Sequence, residues 1–359
     1  MSTPAAADGT TRTPYPQTPK TAHAGAQPPT PIHHQRNHLT AAAVSHAPSH
    51  EPVLQALSLG AGVQSSAILL MSAHGLLPKL DYAAFADPGW ERPETYAALD
   101  RLEREVATPA GIPIVRLSAG NIRTDTLDPA ARFSTLPLFV KNRNGTKGML
   151  RRQCTSTYKV KILLAEARRR LGAEVSADGR VGRVRRGRYL QQWVGISADE
   201  FTRAKDSGVS YARNVFPLLE RGLTRTDCED YLARHGFSAV SRSACVGCPF
   251  TSNAGWRTLR DHHPEQWEQA VEFDRAVRAG SARANAGGIP LRGQAFLHPS
   301  LLPLDQAPID TPARTRNRRH LRLLPTQQEE WNGDPDGCSP WACRSGTPTT
   351  GDADESQAA

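Results

Sequence analysis

The chain has 359 residues, 38% of them hydrophobic, and a formal net charge of +9. That length holds one large domain or two smaller ones, and no apolar run approaches the ~18–20 residues of a membrane-spanning helix. The charge excess suits an anionic partner such as nucleic acid or a phosphorylated small molecule, although solubility alone accounts for it equally well. The first twenty residues contain no apolar h-region, so no secretory signal is expected. The chain reads as cytoplasmic, where cysteines stay reduced and serve metals or catalysis more often than disulfides.

Residues 1–50 are rich in Pro, Thr, Ala and His and carry little periodic apolar pattern. They bury too little to offset ordering entropy and read as a disordered tail. His23, His33, His34, His38, His46 and His50 belong to it as solvated residues rather than metal ligands. A folded domain is expected over 51–300. Within it, 53–59 reads as a buried strand, 60–62 as a turn and 65–74 as a helix. A second strand at 81–86 ends at Asp87, an amphipathic helix covers 93–106, and a third strand covers 113–117. Such alternation predicts an α/β fold, a parallel sheet with helices on both faces. Residues 118–155 read as irregular and become basic towards their end, with Lys141, Arg143, Lys147, Arg151 and Arg152. A helix follows at 157–171, then a hairpin at 175–191 around Asp178-Gly179, bearing Arg180, Arg183, Arg185, Arg186 and Arg188. A core strand at 192–197, a helix at 224–235 with Thr224 as N-cap, and a helical stretch at 253–279 broken near Pro264 complete the pattern. Trp256 and Trp267 on that stretch read as core. Beyond about 305 the pattern fades, and 301–359 reads as a mostly irregular tail.

Three features carry chemistry. Ser58-Leu59-Gly60-Ala61-Gly62-Val63-Gln64-Ser65-Ser66 lies between a strand and a helix. Glycines admit an anion close to the backbone, the helix N-terminus offers N–H groups and a favourable dipole, and Ser65 and Ser66 add hydroxyls. The loop is neither a Walker A loop, lacking Gly-Lys-Ser/Thr, nor a Rossmann fingerprint, lacking the third glycine; an ordinary strand-to-helix turn is the plain alternative. Asp87, in Phe85-Ala86-Asp87-Pro88-Gly89-Trp90-Glu91, stands just past a strand's carboxyl end, where open α/β sheets bind ligands. It suits a metal ion or a ribose, or simply a Pro-Gly turn. Cys154 in Arg-Gln-Cys-Thr, with Cys245 and Cys248 in Ser-Ala-Cys-Val-Gly-Cys-Pro-Phe, combines a distant single cysteine and a C-x-x-C pair, the layout of an iron–sulfur or soft-metal site. Zinc, completed by Cys338, Cys343 or His262, is a second reading, and three inert buried thiols a third. Cys228 reads as an ordinary helix thiol.

Together these segments resemble the phosphoadenosine phosphosulfate (PAPS) reductase branch of the adenine nucleotide alpha hydrolase superfamily, the PP-loop ATP pyrophosphatases. The loop at 58–66 is similar to that family's Ser-Gly-Gly-x-Asp-Ser motif. FADPGWERPETY at 85–96 is similar to its Asp-Thr-Gly motif, VGISADEFTR at 194–203 to its Gly-Ile-Arg stretch, and 214–237 to its Asn-Pro-Leu plus short-helix element. Cys245 and Cys248 fall where adenylylsulfate reductases carry a cluster-binding pair, and Cys154 where they carry Cys-Cys. The resemblance spans roughly 53–280. It departs from the pattern at Gln64, which stands at the loop aspartate, at Ser197 for the arginine, and at Gln153 for a fourth cluster cysteine. The C-terminal Glu-Cys-Gly-Leu-His motif is absent, with Cys338-Ser-Pro-Trp-Ala-Cys343 the nearest substitute.

The resemblance implies a HUP-like sheet and an adenine nucleotide, such as ATP with Mg²⁺, held by Ser58, Gly60, Gly62, Gln64, Ser65, Ser66 and Asp87. It implies catalytic roles for Asp87 and Lys159 and a [4Fe–4S] cluster on Cys154, Cys245 and Cys248. The implied activity is nucleotide-activated sulfur transfer or nucleic-acid modification by a transferase or oxidoreductase, with nucleic acid or a sulfur donor as further partner. Sulfonucleotide reduction and non-catalytic nucleotide or nucleic-acid binding are the alternatives. Lys161, Arg151 and Arg152 are further candidates for phosphate or sulfate contact. The arginines at 180–188, with Arg314, Arg316, Arg318, Arg319 and Arg322, suit a nucleic-acid backbone.

Overall fold

The runs at 54–59 and 82–87 are mostly apolar, broken by Gln55, Ser58 and the terminal Asp87, and they lie within a sheet covered on both faces. The computed structural model describes residues 52–131, 135–238, 240 and 243–311. In chain order its elements begin with β1 (Leu54–Leu59), α1 (Val63–Ala73), β2 (Tyr82–Asp87), α2 (Pro93–Leu102), β3 (Ile114–Ser118), α3 (Ile122–Leu127), β4 (Phe139–Asn142), β5 (Lys147–Met149) and α4 (Lys161–Arg170). Then come β6 (Leu190–Trp193), β7 (Ala212–Val215), α5 (Pro217–Glu220), α6 (Arg225–Arg234), α7 (Asn253–His262), α8 (Pro264–Ala276), α9 (Ala282–Ala286) and β8 (Gly293–Phe296). α2 runs on through a π-helical turn at Glu103–Ala107, and another at Ser156–Val160 leads into α4.

Five strands pair in parallel in the order β3-β2-β1-β6-β7. The strand period of two divides their side chains between two layers. Leu57, Leu59, Ala83 and Phe85 enter a core shared with α1, α2 and α6, whereas Ala56, Tyr82, Ala84 and Ala86 enter one shared with α4. Strand order reverses at β1. The crevice between the carboxyl ends of β1 and β6 is therefore the topological switch point, the place where open α/β sheets bind ligands.

A further core contains Trp90, Tyr158, Trp256, Leu259, Phe273 and Ala295. It joins α7 and α8 to a three-stranded antiparallel sheet, β5-β4-β8. This sheet corrects the expectation that 118–155 is irregular. Its strands β4 and β5 have four and three residues, too few to show a period, and β8 lies far along the chain. The hairpin expected at 175–191 reduces to a single bridge, Val175↔Val181, because its far end, Leu190 and Gln191, pairs in parallel with β1 and β7 as the start of β6. α6 begins as expected, with Thr224 and Asp227 forming a reciprocal capping box. α7 and α8 part at His263, where Pro264 starts the second helix at the position proline favours. Trp256 is fully buried, with the half-buried Trp267 edge-on to it. Leu304 and Ile309 bury into the same core.

Among the described residues no helix is long and apolar enough to cross a membrane. The histidines of 1–50, the arginines Arg314, Arg316, Arg318, Arg319 and Arg322, and Cys338 and Cys343 lie outside the described residues.

Candidate functional site at the switch point

β1 ends at Leu59, and the chain turns through Gly60, Ala61 and Gly62 before α1 begins. Ala61 takes φ 53°, in the left-handed region that costs a non-glycine residue about 1 kcal/mol. Backbone strain of this kind gathers at ligand-binding turns. Ser65 braces the turn, its Oγ accepting from Gly60 N–H and donating to the Gly62 carbonyl, both at 3.2 Å. Gly62 is the N-cap of α1 and has no side chain to satisfy the first-turn N–H groups. The hydroxyls of Ser58 and Ser66 are buried with no hydrogen-bond partner among the described residues. An unsatisfied buried hydroxyl costs roughly 1–3 kcal/mol. Gly195, just past β6, faces the turn closely. A Cβ there would stand 2.9 Å from Ser65 N, so a side chain at 195 would force the two walls apart.

Gln64 is tied down on both sides of its amide. Its Nε2 donates to Glu200 Oε1 at 3.2 Å, and its Oε1 accepts from Arg225 Nη1 at 3.3 Å. Glu200 pairs in turn with Arg203 at 3.1 Å. An amide can serve a carboxylate and a guanidinium at once, whereas an aspartate offers no donor for the carboxylate. Gln64 thus links α1 to the helical turn Ala198–Arg203 and to α6. Asp87 is also engaged, its Oδ1 accepting from Gly89 N–H at 2.7 Å and from the Tyr96 hydroxyl at 2.8 Å. Burial holds the Tyr96 phenol above its ordinary range, so it stays protonated and donates. Gly89, at φ 74°, makes the turn that places this carboxylate.

The structure brings the three cysteines together. Cys154, Cys245 and Cys248 line one small pocket with Trp90, Arg152 and Phe250. The C-x-x-C segment reaches it by pairing with the chain just past β2: Arg92 N–H donates to the Ala244 carbonyl at 3.2 Å, Val246 N–H donates to the Trp90 carbonyl at 2.9 Å, and Glu91 bridges Cys245. Cys248 N–H then donates to the Cys245 carbonyl at 3.2 Å, closing the turn. Gly247 lies flush on the Trp90 indole. Cys154 comes from the first residues of the helical segment that leads into α4. The cysteine segment also touches the glycine loop, since a Cβ on Gly60 would lie 3.3 Å from Ser243 Oγ. Among the described residues no group of three or more His, Cys, Asp or Glu side chains is arranged to hold a metal ion.

Beside Cys245 lies a buried ion pair. Lys159 Nζ stands 2.9 Å from Glu91 Oε1, with side chains 7% and 1% exposed. Cys245 Sγ is 3.9 Å from the same carboxylate oxygen. Lys159 sits in the π-helical turn Ser156–Val160, a distortion often found at functional sites. Glu91 has no counterpart in the sequence expectations. The signal that could have found it is an acid after a strand end in the otherwise apolar Pro-Gly-Trp-Glu run. Arg152 is half-buried with its guanidinium 4.8 Å over the Phe250 ring, while Arg151 and Lys161 are exposed. His262, at the end of α7, is exposed and does not line the pocket. Cys228 is buried against the α1 side of the sheet, and burial pushes its thiol up to about 12. The arginines of 180–188 follow α4 and precede β6, which puts them at the amino edge of the sheet, opposite the crevice.

No family model matches the chain, and a search of curated proteins gave no match.

Proposed function

We propose that the chain is an adenine-nucleotide-dependent enzyme of the PP-loop type it resembles, activating an acceptor with ATP for sulfur transfer or nucleic-acid modification beside a [4Fe–4S] cluster. One observation carries this reading. The Ser243 hydroxyl, two residues before Cys245, lies 3.3 Å from where a Cβ on Gly60 would stand, while the cysteine segment pairs with the chain past β2. A phosphate at the loop and a group at the cysteine pocket would then occupy neighbouring walls of one crevice.

Each part has a chemical task. The first-turn N–H groups of α1 and the hydroxyls of Ser58 and Ser66 suit phosphate oxygens. Asp87, with one oxygen held by Gly89 and Tyr96, would hold the Mg²⁺ that accompanies the nucleotide. Cys154, Cys245 and Cys248 would hold the cluster. Thiolates in an apolar pocket are soft ligands, and a multi-iron cluster takes them at separate iron atoms, so they need not converge as for one tetrahedral zinc. When bound, the cluster supplies sulfur or electrons. Arg152 brings a guanidinium to the pocket wall. Lys159, held by Glu91, fixes the turn that follows Cys154 against the segment bearing Cys245.

A second reading, nucleotide binding without chemistry at the α-phosphate, draws on Gln64, whose amide is committed to Glu200 and Arg225. Calorimetric titration with Mg–ATP, paired with assay of pyrophosphate and AMP in the presence of tRNA or DNA, separates the two. Saturable binding with pyrophosphate or AMP release supports the first reading. Binding without turnover supports the second. A folded chain that binds no ATP overturns both.

A further inference from the structure

We propose that the β4–β5 hairpin grips a nucleic-acid backbone and leads the strand to the cysteine pocket. Three observations converge on it. Between 129 and 165 the chain has no acidic residue, yet it carries Lys141, Arg143, Lys147 and Arg151, all exposed. None of these four makes an ion pair among the described residues. The antiparallel register sets Lys141 directly opposite Lys147. Like charges at that position weaken a sheet, and the cost is removed when a phosphate lies across them.

The hairpin is also rooted in the pocket. Leu136 and Pro137, which enter β4, and Arg152 and Cys154, which follow β5, line it. Five residues from Lys147 to Arg152 span at most about 17 Å at ~3.4 Å per residue, or about five nucleotide steps at ~3.4 Å each. A backbone held on Lys141, Arg143 and Lys147 therefore reaches the thiols without a long detour. Aromatic residues do not interleave these cations, and Phe139 is buried, so the grip is by charge rather than by base stacking. Arg183, Arg185 and Arg186 are equally basic but sit at the opposite edge of the sheet. The direction of the strand rests on the proposed role of the pocket; binding to the hairpin does not.

The test is fluorescence anisotropy with labelled RNA and DNA of about 20 nucleotides, titrated with the full chain over a salt series. Lys141→Gln/Arg143→Gln/Lys147→Gln is compared with Arg183→Gln/Arg185→Gln/Arg186→Gln. Three lost phosphate contacts at ~0.7 each lower the slope of log K against log salt by about 2. The hairpin variant should therefore bind every sequence at least ~10-fold more weakly near 0.1 M salt, with the other triple within about 2-fold of wild type. Equal loss in both triples, loss only in the second, or no salt-dependent binding by wild type overturns the proposal. Removing Lys147 relieves a like-charge pair, so the hairpin variant is expected to melt no lower than wild type. If it melts lower, Lys147→Gln alone decides, with an expected slope change of about 0.7. Mg–ATP binding, measured on the same samples, is expected to be unchanged. Failed ATP binding with intact hairpin-dependent RNA or DNA binding sinks the proposed function alone; the reverse pattern sinks only the hairpin.

Discussion

Replacing Gly247 with alanine probes the packing that sets the C-x-x-C turn. The new Cβ would fall 2.4 and 2.5 Å from two atoms at the far edge of the Trp90 indole, about 1 Å inside ordinary carbon contact. The ring cannot yield freely. It is buried, it lies edge-on to Phe273 with centroids 5.0 Å apart, and its Nε1 donates to Gln269 Oε1 at 3.0 Å. Overpacking of this kind costs about 1–3 kcal/mol. With a urea m-value near 3 kcal/mol per M, the unfolding midpoint, read by tryptophan fluorescence, falls by about 0.3–1 M. Trp90→Phe removes the colliding atoms. Gly247→Ala should therefore cost at least ~1 kcal/mol less in that background, the coupling expected of residues in contact. A cost under about 0.5 kcal/mol, or the same cost in both backgrounds, refutes the reasoning.

Three further outcomes follow from local geometry. Thr224→Ala removes the capping box of α6 and should destabilise by about 1 kcal/mol, with Thr224→Ser restoring most of it; no change in a denaturant melt contradicts this. His298 is buried, accepts from Ser300 N–H at Nδ1 and contacts Asn253 Oδ1 through Nε2, and burial lowers it to about 4. The unfolded chain, at about 6.5, takes up the proton first as pH falls. Its contribution is therefore complete above about pH 6.5 and lost between about 6.5 and 4, at no more than ~1.4 kcal/mol per pH unit. His298→Gln should flatten that limb of the stability curve, and an unaltered slope counts against the assignment. Cys228, raised to about 12 by burial, should resist alkylation at pH 8 until urea unfolds the chain, as mapped by mass spectrometry. Prompt labelling of the native protein contradicts its burial.

Strands β1, β2 and β3 were legible because 54–59, 82–87 and 114–118 are mostly apolar and alternate with helices, whereas the four-residue β7 carried no such signal. The antiparallel sheet was not, because β4 and β5 are short and basic and owe their place to β8 far downstream. At the site, the loop and the three cysteines could be marked from residue type and spacing. Glu91 could not, because its value depends on Lys159, 68 residues away. Gln64 was legible as a departure from the family aspartate but not as a link, since its partners Glu200 and Arg225 are 136 and 161 residues distant. Ser65 was legible as a hydroxyl at the loop but not as a brace of its own turn through Gly60 and Gly62. Local pattern carries residue chemistry; which groups meet is decided by contacts far apart in the chain.

The most direct test is anaerobic purification followed by iron and acid-labile sulfide assay, with Cys154→Ser, Cys245→Ser and Cys248→Ser alongside. The expected result is a coloured protein with about four iron and four sulfide per chain, lost on replacing any of the three cysteines and kept in Cys228→Ala. A colourless, iron-free protein that still binds Mg–ATP, or iron retained in all three serine variants, contradicts a cluster at the nucleotide crevice.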